Sequence, residues 1–395
     1  MSMSASAVAG SAVGSLVISA DEFCQSQAPD YWDWSREVHQ RMAATLLDFD
    51  IREVARLSRL LLAEPASPVL YRDLRARLDD AIARTESERC ARLAELAWAT
   101  ECRSRLRLHV GDDTPAPAHG SPTATEILSG LPRRPGNAGG HRVRAAIVIP
   151  FRDATPGGAR SRNLAAAIAA LLDQSAARHD YRIVVVEADD APKQRHLLEP
   201  VVDGYVFARH SGRFNKAWAV NVGVAHGARP AETICVLDAD MLVDRDFVSR
   251  ALKRFSEPGT QAHLPFRDIL FLDRESSARA IERRCFHGDA HVDERAARGV
   301  YLRRPPGCCV WVRDSLFSRV SGFDERFSGW GGEDLDFVRR VEHHGPLDRF
   351  ADPTFHLDHP RATARNDDGT SFYASVEWCT WPLDSPFGDL GKFAA

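Results

Sequence analysis

The run Thr233-Ile-Cys-Val-Leu237, followed at once by Asp238-Ala-Asp240, decides the fold. A short β-branched and apolar run closed by acids reads as a strand buried on both faces. Such strands belong to a mostly parallel sheet clad with helices. Ligands sit at the carboxyl ends of its strands. Two carboxylates, one residue apart, stand at that exit.

Outward from this point, strands and helices alternate. Arg144-Ala-Ala-Ile-Val-Ile-Pro-Phe151 and Tyr181-Arg-Ile-Val-Val-Val-Glu187 are further buried strands, and Tyr205-Val-Phe207 a brief one. Residues 163–174 read as a helix, and 215–228 as another with Asn215 as its N-cap. Cys308 to Val312 reads as a strand. Leu335, Val338 and Val341 mark a helix that stops at Gly345-Pro346. The fold class is therefore α/β over residues 143–395, which end in an aromatic tail. Upstream, Leu46, Leu47, Ile51, Val54, Leu57, Leu60 and Leu61 recur at helical spacing, so residues 31–108 form a small all-α domain. It reads as a packing or protein-docking module. Residues 109–142 are a Pro- and Gly-rich linker. Residues 1–30, rich in Ser, Ala and Gly, are expected to be flexible.

Composition excludes several classes. With 395 residues and a net charge of −4, no basic field argues for nucleic acid. No run is apolar enough to span a bilayer, and no basic residue precedes Arg36 to open a secretory signal. The eight Cys show no metal-binding or disulfide spacing, as expected of reduced thiols in a bacterial cytoplasmic enzyme.

The motifs carry the chemistry. Asp238 and Asp240 can hold a divalent cation and its phosphate ligands, or be two acids in a solvated turn. Lys216, one of four lysines, stands with Asn215 where a helix N-terminus favours anions. In Gly329-Trp-Gly-Gly-Glu-Asp334, Trp330 among glycines suits stacking on a sugar. A carboxylate beside it suits removal of a hydroxyl proton. His356-Leu-Asp-His359 offers imidazoles to a metal. Residues 267–304, rich in Arg and His, are expected to form an acceptor wall or lid.

In order, these pieces resemble GT-A glycosyltransferases of the β-1,4-galactosyltransferase type. Phe214-Asn-Lys-Ala with Asn221-Val-Gly223, Asp238-Ala-Asp240, Gly329-Trp-Gly-Gly-Glu-Asp334 and His359 match that family's ordered motifs across residues 143–365. The resemblance implies a metal-dependent, inverting transfer of a hexose or N-acetylhexosamine from a UDP-sugar to an acceptor hydroxyl. It implies Mn²⁺, with Mg²⁺ as the alternative, on Asp240, His356 and His359. Asp334 would be the base and Glu333 the acceptor ligand. Pro150, Phe151, Arg152, Phe214, Asn215, Lys216, Asp238 and Trp330 would line the donor. Two departures stand out: Phe151-Arg-Asp-Ala154 replaces the family's nucleotide loop, and Leu335 replaces an acid. The alternatives are a retaining transferase of the polypeptide N-acetylgalactosaminyl type and a catalytically silent sugar-nucleotide binder.

Overall fold

The computed structural model describes residues 3–84, 87–113, 120–133, 142–155, 157–361 and 365–393. The chain divides into two units. One is drawn from residues 1–118, 268–277 and 293–304, the other from 119–267, 278–292 and 305–395.

In the first unit, the segment expected to be flexible contains the helix Ala5–Ala20, capped by Ser4. Val8, Ala12, Val13, Leu16, Val17 and Ile18 on it are buried. It packs against the helices Pro29–Leu47, Pro68–Arg84 and Glu88–Arg103. Small side chains all round let neighbours close on every face, so no polar stripe marks it in the sequence. The unit also holds an antiparallel sheet in which Arg298–Arg303 pairs with both Leu106–Val110 and Asp268–Leu272. Two further expectations change here. The presumed linker begins inside the strand Leu106–Val110 and, in its part that belongs to the second unit, contains a helix, Ala124–Ser129, with a Thr123–Glu126 capping box. Its stretches 114–119 and 134–141 lie outside the described residues. Both ends of the presumed acceptor wall, 267–304, are strands of this sheet. Buried Arg298 fastens the sheet to the helices by pairing with Asp21, and it pairs with Asp273 at 3.3 Å. His39, also buried, lies between Ser15 Oγ at 3.0 Å and Ser104 Oγ at 2.8 Å.

The second unit is built on a seven-stranded sheet. In chain order its strands are β1 (Val143–Phe151), β2 (Tyr181–Asp189), β3 (Gly204–Arg209), β4 (Ala231–Leu237), β5 (Ala262–Leu264), β6 (Cys309–Arg313) and β7 (Leu347–Arg349). They lie in the order β7-β5-β6-β4-β1-β2-β3. The run β4-β1-β2-β3 is parallel, as the buried apolar runs demand. Antiparallel β6 then turns the sheet mixed. The helix expected from Asn215 spans Lys216–Gly223 and continues as a π-helical turn, Val224–Ala228. The helix opened by the Gly-rich motif spans Glu333–His344. Among the described residues, no helix is long and apolar enough to cross a membrane.

Candidate metal and carboxylate centre

Strand β4 ends at Leu237, and the chain turns through Asp238 and Asp240. Asp238 N donates to Cys308 O at 2.9 Å, and Met241 N donates back to Asp238 O at 3.2 Å. Met241–Leu242 then pairs antiparallel with Phe355–His356. That pairing, with Leu357 N donating to Asp240 O at 2.8 Å, brings the later histidines onto the turn. Asn163 Nδ2 and Arg162 Nη2 donate to Asp358 O at 3.1 and 3.0 Å and hold the same loop from the other side.

Asp240, His356 and His359 are all buried, and one ligand atom from each lies within 4.8 Å of the others. His356 Nε2 is 3.2 Å from Asp240 Oδ1, and His359 Nε2 is 2.8 Å from Oδ2. His359 Nδ1 lies 2.9 Å from Pro360 O and donates to it. In the neutral imidazole, Nε2 then presents a lone pair to a carboxylate. A cation between them converts that repulsion into coordination. Asp240 Oδ1 is buried with no hydrogen-bond partner among the described residues. Burial alone would raise the Asp240 pKa, but the positive charge that the two imidazoles carry when protonated holds it well below the carboxylate range. Burial lowers His356 to about 4. One anionic oxygen donor and two imidazole nitrogens fit a first-row dication.

The second cluster surrounds Lys216. Asn215 caps its helix, accepting from Trp218 N at 2.8 Å, and donates to Glu325 O at 2.8 Å. The Lys216 ammonium is held 2.8 Å from Asp238, 2.8 Å from Asp334 and 3.6 Å from Glu333. Burial works against this charge, yet the three carboxylates keep its pKa well above the lysine value. Burial, with repulsion from Asp334, pushes Glu333 up to about 7. Its Oε2 is buried and has no hydrogen-bond partner among the described residues. Asp238 also rises to about 7, chiefly by burial. Gly307 lies against Asp334: a Cβ there would meet Asp334 Oδ2 at 2.1 Å.

The Gly-rich loop takes its shape from left-handed backbone. Gly329, Gly331 and Gly332 have φ of 92°, 103° and 95°, which L side chains rarely adopt. A Cβ at Gly329 would strike the Phe372 ring at 2.5 Å, and one at Gly332 would strike Phe327 at 2.5 Å. Trp330 is therefore carried out to the surface, 38% exposed. Asp336, the third acid of this helix, is spent on Arg340 at 2.8 Å and on Cys379 N at 2.7 Å.

The remaining sequence candidates divide. Asp238, Lys216, Glu333 and Asp334 meet in one cluster, and Asp240, His356 and His359 meet in another on the same turn. Pro150 and Phe151 are buried within β1. Arg152 donates to Ala188 O, Gly212 O and His210 O and lies over the Phe214 ring, so its guanidinium ties loop to sheet. Sequence reasoning missed Arg160, 3.9 Å from Asp240 Oδ2, and Arg361, within electrostatic reach of Asp240. In a chain so rich in Arg neither position carries a signal. It also missed Glu187, a buried acid at the end of β2 that binds Tyr205 and Gln194 N. Its place at a strand exit was a signal that could have been read.

Comparison with known proteins gives a consistent picture. Residues 146–320 match the family described as glycosyl transferase family 2, and residues 302–356 match the N-terminal domain of galactosyltransferase. A validoxylamine A glucosyltransferase of Streptomyces hygroscopicus subsp. limoneus is 27% identical over 270 residues, 62% of this chain and 54% of the relative. Its counterpart in subsp. jinggangensis is 27% identical over 231 residues, 52% of this chain and 53% of the relative. The chain thus spans about half the length of the curated relatives it matches. A Drosophila β-1,4-galactosyltransferase 7 solved with manganese, UDP-Gal and xylobiose is 16% identical, with TM-score 0.32, over 55% of this chain and 71% of that one. A Pyrobaculum calidifontis mannosyltransferase solved with GDP-Man and Mn²⁺ is 17% identical, with TM-score 0.37, over 60% and 63%. Residues 146–356, within the stretch that builds the second unit, are thus similar to glycosyl transferase family 2 over 146–320 and to the N-terminal domain of galactosyltransferase over 302–356.

Proposed function

We propose that this chain is a metal-dependent, inverting transferase that moves a hexose or N-acetylhexosamine from a UDP-linked donor to an acceptor hydroxyl. The observation that carries the reading is the convergence of two clusters on one strand exit. A buried Asp-His-His set lies on one side, and a lysine among three carboxylates on the other. Bound at Asp240, His356 and His359, a Mn²⁺ or Mg²⁺ ion would supply Lewis-acid neutralisation of the leaving diphosphate.

This chain's own groups do the rest. Asp334 accepts the proton of the acceptor hydroxyl. The freed oxygen bonds to the anomeric carbon while the bond from that carbon to the diphosphate oxygen breaks, its electron pair leaving with the diphosphate. A single displacement inverts the anomeric centre. Glu333, raised to about 7, is partly protonated at neutral pH and can donate to an acceptor oxygen through its unpartnered Oε2. Lys216 holds Asp334 and Asp238 in place, and Trp330 offers a face to a sugar ring. The curated relatives are named validoxylamine A glucosyltransferases, which supports transfer of a hexose. We assign the helical unit to docking or acceptor selection.

A thermal-shift panel of UDP-, GDP- and dTDP-sugars with Mn²⁺ or EDTA tests the donor. NMR of the product anomer separates inversion from retention. In transfer assays Asp334→Asn should cost ~10²–10⁴-fold while UDP binding changes little. Binding of no nucleotide sugar by the folded chain would overturn the reading.

A further inference from the structure

We infer that Arg160, seconded by Arg361, forms a guanidinium clamp for the distal phosphate of the donor, acting beside the metal-binding set and partly in its place. The inference rests on the proposed nucleotide-sugar reading and assigns residues to it that no sequence motif marks. Arg160 lies in the first turn of the helix Ala159–Leu172. Its guanidinium is 3.9 Å from Asp240 Oδ2 and three-quarters buried. That distance is too long for a hydrogen bond, so its fork of N–H donors is not spent on Asp240. The Asp240 oxygens instead face His356 and His359 Nε2 at 3.2 and 2.8 Å. Arg361 follows His359 by two residues, and Asp240, Asp358 and Arg160 all act on its charge.

Without an ion the two guanidiniums are matched by the carboxylates of Asp240 and Asp358; a bound dication upsets that balance. Two guanidiniums stand near each other and near a site whose donor set fits a dication. The carboxylates that face them are those of Asp240 and Asp358. A bound dication leaves the locus strongly cationic, and like charges brought together away from water repel. A diphosphate resolves this: two anionic phosphates accept from guanidinium forks with good geometry, and the charge that grows on the leaving oxygen is met by fixed donors. The loop that carries Arg361 is anchored by Arg162 and Asn163 on the same helix as Arg160. The two arginines are therefore carried by one helix and the loop that this helix anchors.

The test is calorimetric titration of the full-length chain with UDP, UMP and uridine, each with Mn²⁺ and with EDTA. The proteins are the wild type, Arg160→Met and Arg160→Lys, with thermal midpoints measured alongside. UDP should bind the wild type in EDTA more tightly than uridine does. Arg160→Met should weaken UDP at least about tenfold in EDTA, the size of one lost charge-assisted contact, and should alter UMP less than threefold. Arg160→Lys should recover part of the loss. In the absence of nucleotide, Arg160→Met should bind Mn²⁺ more tightly, because a neighbouring cation has gone. The clamp is overturned if Arg160→Met leaves UDP affinity within twofold, if it weakens uridine as much as UDP, or if Mn²⁺ affinity falls. If the folded wild type binds no nucleoside diphosphate under either condition, the nucleotide-sugar reading fails and the clamp with it. A loss of UDP affinity in Arg160→Met supports the clamp and unchanged affinity removes it, and neither outcome touches that reading as long as the wild type binds UDP.

Discussion

Gly307 is the position at which a single methyl group should report on the whole carboxylate cluster. A Cβ there would stand 2.1 Å from Asp334 Oδ2 and 2.8 Å from its Cγ. Carbon and oxygen do not approach closer than about 3.0 Å without repulsion, so in Gly307→Ala one group must retreat by about 1 Å. Pro305 and Pro306 stiffen the backbone before Gly307, so the carboxylate is the group that moves. Its contact with Lys216, 2.8 Å in the structure, then stretches beyond hydrogen-bonding range. One charge-assisted hydrogen bond is worth about 1.5–3 kcal/mol. A 1 Å misplacement of a reacting group costs roughly 10²-fold in rate. Gly307→Ala should therefore lose stability of that order in urea unfolding and transfer sugar roughly 10²-fold more slowly. The control is the double variant. In an Asp334→Ala background the oxygen that clashes is gone, and the added methyl should cost less than about 0.5 kcal/mol. A single variant with wild-type stability and transfer, or a double variant as damaged as the sum of its parts, would refute the placement of Asp334 against Gly307.

Three further outcomes follow from the geometry. Asp240→Ala removes one of the three clustered donors, so Mn²⁺ should raise the thermal midpoint of the wild type and not of the variant; an equal rise in both would dismiss the site. Burial lowers His39 from 6.5 to about 4, so the unfolded chain takes up its proton first as pH falls. The stabilisation is complete above about 6.5 and lost towards 4, worth about 3 kcal/mol; His39→Gln should flatten that slope in urea titrations of Trp fluorescence, and an unchanged slope would exclude His39 as its source. Lys392 pairs with Glu325, whose side chain is almost fully buried, at 2.6 Å; Lys392→Met should cost about 1–2 kcal/mol after solvent screening, with part recovered by adding Glu325→Gln, and no recovery would mean that the charge is not the cause.

The parts legible in the sequence are those where local pattern and tertiary role agree. The apolar runs of β1, β2 and β4 are buried strands because nothing but a two-faced core accepts such runs. The D-x-D turn and the Gly-Trp-Gly-Gly-Glu-Asp stretch lie together because their spacing already implied a strand exit and a helix start. Other features were hidden for physical reasons. Ala5–Ala20 reads as a loose Ser/Ala/Gly segment because a helix buried on all sides needs small residues rather than a polar stripe. The aromatic tail lacks periodicity, since Phe372 and Tyr373 are chosen by the hollows that Gly329, Gly331 and Gly332 leave for them. Charge neighbours such as Arg160 depend on contacts across 80 residues, which pairs Asp240 with a helix no spacing rule connects to it.

The divided sequence of the first unit sets an order on its completion. Arg298 meets Asp21 across 277 residues, and His109 meets Glu294 across 185. On the ribosome, where about 5–20 residues are added each second, the helices emerge roughly 10–40 s before the strand Arg298–Arg303 that pairs with Leu106–Val110. For that interval Leu106–Val110 is an open edge, and Asp21 lacks its guanidinium partner. Residues 119–267 and 278–292 of the second unit lie between the two halves of this pairing, so that stretch of nascent chain is held inside a loop that only the late strand closes, and residues 305–395 follow it. Cutting the gene near residue 140 would not separate two independent bodies. It would leave the pair Asp268–Leu272 and Arg298–Arg303 without Leu106–Val110 beside the second strand and Arg298 without Asp21.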